Sequence, residues 1–269
     1  MSNFWQRTLS GAVFITVIIL SIIFGPLAFQ ALFMAIAMAS LDEFYRLVRK
    51  GGLADPFGFF GLCTGFLMYL IIAFDALLLT NLRWEAIVYP AFGLMFFAEL
   101  YRKKENPFSN IAFGLTGILY TVLPFALLSR IALHGGSYEY QLLLGYFVLI
   151  WTSDTFAYLT GRKLGRTKLF ERISPGKTWE GSIGGAMATG LLSYLLWCWY
   201  PDPGLQVWMG MALIILVTGT MGDLCESLLK RSIGVKDSGS FMPGHGGLLD
   251  RFDAVLLSAP FVWALISMT

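Results

Sequence analysis

The chain has 269 residues, of which 57% are hydrophobic and 13% charged, with a mean hydropathy of +0.68 and a formal net charge of +2. Soluble domains carry roughly 25% charged residues, and one core of this size has too little interior to bury so much apolar surface, which excludes a soluble fold in favour of one dissolved in a bilayer. Near-neutral charge also removes the electrostatic basis for binding nucleic acid.

A helix crossing hydrocarbon needs about 20 mostly apolar residues. Nine segments approximate that requirement: 8–24, 27–45, 57–74, 84–101, 109–129, 140–160, 181–200, 205–225 and 252–268. The first follows Arg7 and imitates a secretory signal, but apolar segments continue along the chain, so it is read as a retained helix. Gly25-Pro26 separates the first two spans with almost no loop. Glycines within 57–74, and Gly181, Gly184, Gly185 and Gly190 in the seventh span, predict seams where helix backbones approach closely, and such seams also permit a homodimer. Cys63, Cys198 and Cys225 have no metal-ligand spacing and read as small buried hydrophobes.

With the amino terminus in the cytoplasm, the inside segments hold Arg7, then Arg46, Arg49 and Lys50, then Arg102, Lys103 and Lys104, then the bases of 161–180 and those of 226–251. That is 17 of the 19 basic residues, leaving Arg83 and Arg130 outside, an asymmetry that supports both the orientation and the odd span count. The expected fold is therefore all-α: one polytopic membrane domain of about nine spans, amino terminus cytoplasmic and carboxyl terminus outside. Residues 1–130 are expected to form a helical scaffold and 140–269 the catalytic helices and cytoplasmic loops. The two long connections, 161–180 and 226–251, both face the cytoplasm, so chemistry is expected there.

Asp154 lies inside the sixth span, where an ionised group marks a polar cavity or an interhelical ion pair. Asp75 and Glu85 fall near outer ends that water can reach. Asp223 and Glu226, three apart at the end of the eighth span, share a helical face with Ser227, and Asp250 and Asp253 repeat the spacing where the ninth begins. Two such pairs brought together repel, and a hard cation relieves the repulsion. Oxygen ligands favour magnesium, and the two histidines, His134 and His245, do not make a three-histidine zinc site.

Basic residues surround these acids: Lys230, Arg231, Lys236 and Arg251, and upstream Arg162, Lys163, Arg166, Lys168, Arg172 and Lys177. Carboxylates that hold metal beside bases that hold phosphate suit phosphoryl or nucleotidyl transfer. Gly176-Lys177-Thr178 lacks the spacing of a P-loop and is not one. Ser174 or Thr178 is expected to cap the helix starting near Trp179, with Glu180 returning a capping bond. Pro243-Gly244-His245-Gly246-Gly247 makes a turn whose amides can press on a phosphate; His245 donates to phosphate, acts as a base or only fixes the turn.

The run from Ser227 through Lys230-Arg231, Lys236-Asp237, Pro243-Gly244-His245-Gly246-Gly247 and Asp250-Arg251-Phe-Asp253 closely resembles the signature of phosphatidate cytidylyltransferases, the CDP-diacylglycerol synthases. The resemblance reaches upstream to Asp154, Ala157-Tyr158, Gly161, Gly165 and Ser174-Pro175 through Glu180-Gly181, and departs at Gly176, where that family often has a second lysine. It implies a bacterial inner-membrane enzyme that converts CTP and phosphatidate into CDP-diacylglycerol and pyrophosphate with Mg2+. Asp223 and Asp250 would be the leading metal ligands, with Asp253, Glu226 and Asp154 beside them. Lys177, Lys230, Arg231, Lys236 and Arg251 would meet the triphosphate or the lipid head, with Ser174, Thr178, Glu180, Ser227, Asp237, His245, Gly246 and Gly247 in substrate contact.

On that reading a phosphatidate oxygen attacks the α-phosphorus of CTP directly, with no protein nucleophile. Two other classes remain: a lipid kinase-like phosphotransferase, and a transporter in which Asp154 and Asp223 form a relay. The extended Lys236-Asp237 and Gly-His-Gly-Gly segment has no obvious use in a relay.

Overall fold

Hydropathy sets the order of the helices. The computed structural model describes residues 3–78, 85–239 and 246–269, apart from the side chains of 3–7, 76–78 and 85–86. Among the described residues the helices are α1 (Asn3–Ile23), α2 (Pro26–Lys50), α3 (Gly58–Leu78), α4 (Glu85–Arg102), α5 (Pro107–Ala132), α6 (Tyr140–Leu164), α7 (Trp179–Trp199), α8 (Leu205–Ser232) and α9 (Leu249–Ser267). Six of them, α2, α3, α5, α6, α7 and α8, are long and apolar enough to cross a membrane, and α1 contributes the shorter apolar stretch Thr8–Ile23. The chain is a multi-pass membrane protein built from helices. Arg83 and His245 lie outside the described residues.

Several helices outrun their apolar segments. α2 continues to Lys50, α6 to Leu164 and α8 to Ser232, each carrying basic residues in its last turn. Hydropathy ends where hydrocarbon ends, but backbone hydrogen bonding continues into water, where lysine and arginine complement the negative helix terminus. Between α6 and α7 the expected loop is instead an antiparallel hairpin, β1 (Lys168–Phe170) with β2 (Ser174–Thr178), pairing Lys168 with Thr178 and Phe170 with Ser174.

Phe33, Phe125, Phe147 and Phe252 join α2, α5, α6 and α9 at the centre. Phe33 lies 6.1, 5.6 and 6.2 Å from the other three rings, and Phe125 lies 5.1 Å from Phe252. Such pairs fix orientation as well as burying area. Large apolar side chains such as Phe24, Leu100, Phe108 and Met187 are exposed around the outside, as lipid contact requires.

Except at Gly190, where a Cβ would meet nothing within 4 Å, the glycine seams are filled within the chain. A Cβ on Gly181 would lie 2.7 Å from the Ala157 carbonyl oxygen and one on Gly185 2.9 Å from that of Ser153, so α7 lies directly on α6. On α3, a Cβ on Gly65 would meet Leu41 at 3.0 Å and Val122 at 3.1 Å. Two expectations need correction. Cys63, Cys198 and Cys225 are exposed on the protein surface, because lipid and not protein solvates that side of their helices. Asp75 is buried and paired with Arg130, which meets it from α5, so it is not an acid reached by water.

Candidate active site

Charged residues at the ends of α6, α8 and α9 converge beside the hairpin. Within α8 the stretch Ile215–Gly219 is π-helical. The wider turn shifts the face presented by every residue after it, and such bulges recur at functional sites. After this turn Asp223 and Glu226 face α9. Gly222 permits the approach: a Cβ there would overlap the backbone carbonyl of Asp253.

Asp223, Glu226 and Asp253 each offer a carboxylate oxygen, and the three atoms lie within 4.8 Å of one another. Glu226 is 1% exposed, and its Oε1 has no hydrogen-bond partner. The Tyr120 hydroxyl, within electrostatic range of Glu226 and Asp253, is likewise buried without a partner. Three clustered carboxylates with an orphaned oxygen form an all-oxygen donor set that fits a hard divalent cation.

Two cavities flank this group. The larger, about 650 Å³, is lined by Asp154, Tyr158 and Arg162 of α6, by Ser174, Gly176, Lys177 and Thr178 of the hairpin, by Ser182 of α7, and by Thr220 and Asp223 of α8. Lys177 Nζ lies 2.6 Å from Asp223 Oδ2 and donates to the Thr220 carbonyl at 3.4 Å. The smaller, about 340 Å³, is lined by Gly11, Phe14 and Ile15 of α1, Trp151 and Asp154 of α6, Asp223 of α8, and Asp250, Arg251 and Asp253 of α9. Asp154 and Asp223 belong to both.

Asp250 is placed differently from Asp223. Its Oδ1 meets Lys230 Nζ at 2.5 Å, and its Oδ2 accepts from Ser238 N at 3.0 Å and Gly247 N at 2.9 Å, with Ser238 Oγ 2.9 Å away. Lys230 also donates to Glu226 Oε2 at 3.0 Å. With polar neighbours on both oxygens, Asp250 holds the lysine, Ser238 and Gly247, and it lies outside the three-carboxylate group. Ser227 donates to Asp223 Oδ1 at 3.3 Å. Gly246 has φ +83°, a value that glycine adopts readily.

The hairpin and α7 meet through Thr178, whose Oγ1 accepts from Gly181 N at 3.2 Å as a helix cap. Glu180 returns no bond to Thr178 and instead accepts from Arg166 N and Thr167 N, closing the loop after α6. Arg231, Lys236 and Asp237 are exposed and line neither cavity. The main omission of the sequence reading is Glu43. Its signal was its place on the buried face of α2, three residues beyond Ser40 and seven beyond Ile36, where an acid requires a partner.

A sequence model described as Cytidylyltransferase family matches residues 5–269. The chain is 32% identical over 270 residues to a protein of Bacillus subtilis (strain 168) named phosphatidate cytidylyltransferase, covering 100% of this chain and 99% of that one. It is 39% identical over 166 residues to a phosphatidate cytidylyltransferase of Staphylococcus aureus (strain COL), covering 61% of this chain and 62% of the relative, less than two thirds of its length. A Staphylococcus haemolyticus protein of the same name is 34% identical over 189 residues, 70% of each chain. A match that extends over both the first helices and the carboxylate cluster shows that the chain belongs to the cytidylyltransferase family.

Proposed function

We propose that this protein is a phosphatidate cytidylyltransferase that makes CDP-diacylglycerol and pyrophosphate from CTP and phosphatidate in a bacterial inner membrane, with its site facing the cytoplasm and nine spans in all. The observation that carries the reading is the pair of cavities meeting at Asp154 and Asp223, one lined by Lys177 and Arg162 and the other by apolar α1 residues and Arg251. A reaction between a water-soluble polyanion and a lipid anion needs two approaches to one charged point.

The larger cavity, beside the hairpin, takes the triphosphate against Lys177, Arg162, Ser174 and Ser182. The smaller takes the lipid head near Arg251, with Phe14 and Ile15 on the acyl side. A phosphatidate phosphate oxygen forms the new bond to the α-phosphorus as the bond from that phosphorus to the α–β bridging oxygen breaks, and pyrophosphate leaves with the electron pair. Asp223, Glu226 and Asp253 would hold Mg2+, which supplies screening between the anions and charge stabilisation on the leaving group. Lys177 adds fixed positive charge on the cavity wall, and Asp250 keeps Lys230 against Glu226. Acyl contacts are the same in substrate and product, so they contribute binding and not acceleration. The groups assembled here come from one chain, and the mechanism does not require a homodimer.

The test is formation of labelled CDP-lipid by purified protein given CTP, phosphatidate and magnesium, with one pyrophosphate released per lipid. Transfer of the γ-phosphate of CTP to diacylglycerol, giving phosphatidate and CDP with no pyrophosphate, would replace this reading with a lipid kinase-like one. Absence of any CTP-dependent product would favour transport.

A further inference from the structure

Glu43 lies on α2, far in sequence from the charged carboxyl-terminal segment. It is 4% exposed, yet its neighbours are polar. Its Oε2 accepts from Leu248 N at 3.0 Å, and its Oε1 accepts from Leu249 N at 3.1 Å and from Ser238 Oγ at 2.5 Å. Leu248 and Leu249 stand where α9 begins, so the carboxylate satisfies backbone donors that a helix start leaves open.

Two glycines pass close against this side chain. A Cβ on Gly239 would lie 2.6 Å from Glu43 Oε2, and one on Gly247 would overlap both Glu43 Oε1 and Ser238 Oγ. Glycine at these positions lets the backbone pass against the carboxylate. The Ser238 hydroxyl, which has one hydrogen, sits between Glu43 Oε1 and Asp250 Oδ2. From there the contacts run through Asp250 to Lys230, and from Lys230 to Glu226.

We propose that Glu43 is a positioning residue for the cytidylyl transfer: it fixes Ser238 and the start of α9 at Gly247–Leu249, and so sets Asp250 and, through it, Lys230. Glu43 does not line either cavity beside the carboxylates, and its effect passes through these contacts. The proposal rests on the role given above to Asp250. Glutamine is the discriminating substitution because it keeps the volume but turns one acceptor into a donor, which in either orientation opposes a backbone N–H, that of Leu248 or of Leu249.

The experiment uses full-length protein in detergent or nanodiscs, and measures CTP-dependent turnover together with hydrogen exchange of the peptide spanning 246–252. Glu43→Gln is expected to lower kcat by about 10- to 100-fold, as loss of an orienting partner does. KM for CTP and phosphatidate should stay within about threefold, and exchange at 247–249 should accelerate at least about tenfold, reporting local opening. Parental kcat in folded Glu43→Gln, or a lowered kcat with parental exchange, overturns the proposal. Should Glu43→Gln fail to fold, Ser238→Ala decides: it keeps the backbone clamp and removes the bridge, so reduced kcat with faster exchange supports the proposal and parental values overturn it. Asp250→Asn separates the two levels. Parental turnover there removes the role of Asp250 and the inference with it, whereas an inactive Asp250→Asn beside a fully active Glu43→Gln overturns the inference alone.

Discussion

Lys177 Nζ and Asp223 Oδ2, 2.6 Å apart, tie the hairpin to α8 on the wall of the larger cavity. The lysine is held at the carboxylate cluster by a partner that belongs to it. Lys177→Met should lower CDP-lipid formation by about 100-fold or more, the scale on which fixed charges act on developing negative charge. Lys177→Arg should recover part of it, because the charge remains but the compact ammonium does not. Steady-state kinetics on both variants checks this.

The three clustered carboxylates should make stability depend on magnesium. Parental protein is expected to melt higher in excess magnesium than in chelator, since a ligand that binds only the folded state stabilises it. Asp223→Asn, Glu226→Gln and Asp253→Asn should each lose that increment together with turnover; in chelator Asp253→Asn should melt no lower than the parent, because it removes a repelling charge, whereas Asp223→Asn and Glu226→Gln also give up their pairs with Lys177 and Lys230 and should melt lower. Thermal unfolding with and without metal reads both. An unchanged magnesium increment in all three would remove the assigned ion site.

Gly222→Ala should separate two helices. The added Cβ meets the Asp253 carbonyl, which is backbone and does not rotate away, so α8 must shift from α9. Overpacking of this kind costs about 1–3 kcal/mol. Turnover should fall well beyond that destabilisation, because the shift moves Asp223 relative to Asp253. Melting temperature and kcat measured together distinguish this from unfolding.

Asp55, between α2 and α3, carries a pH-dependent contribution. Partial burial pushes its carboxyl up, but the hydrogen bond from Lys104 and the charges of Arg102, Lys104 and Arg49 more than offset this and hold it below the ordinary carboxylate range. A depressed folded-state pKa stabilises above the unfolded value, and the contribution disappears as pH falls through the folded one. Asp55→Asn should therefore lower the melting temperature at pH near 7. The gap should close in acid and shrink in high salt, because the side chain is 41% exposed and screened.

Cysteine labelling tests the orientation. In a chain with Cys63, Cys198 and Cys225 changed to serine, Arg166→Cys should react with an impermeant reagent only after the cytoplasmic face is opened. Ser137→Cys should react from outside in intact cells. The reverse pattern would invert the topology.

Hydropathy made the helices legible because lipid requires a long apolar run whatever the run packs against. The acids were legible for a related reason: Asp154, Asp223, Glu226 and Asp253 are too expensive in hydrocarbon to be incidental. What periodicity does not contain is the π turn at Ile215–Gly219, which resets the face on which Asp223 and Glu226 lie. Spacing alone made Asp250 equivalent to Asp223. The difference between them arises from Lys230 of α8 and from Ser238 and Gly247, which meet Asp250 from positions that no local pattern specifies. The hairpin was hidden for a similar reason, since the charges of 161–180 read as solvated loop and its cross-strand pairing is non-local.

The wall common to the two cavities has a further consequence. Apart from Asp154 and Asp223 their linings do not overlap, so the surfaces that would select a nucleotide and those that would select a tail are free to diverge separately. Recasting Phe14 or Ile15 should change which lipids are accepted without altering discrimination among nucleoside triphosphates, and recasting Ser174 or Ser182 should do the opposite. Tolerance for new membrane compositions would then be gained along α1 while the machinery that handles phosphate stays as it is.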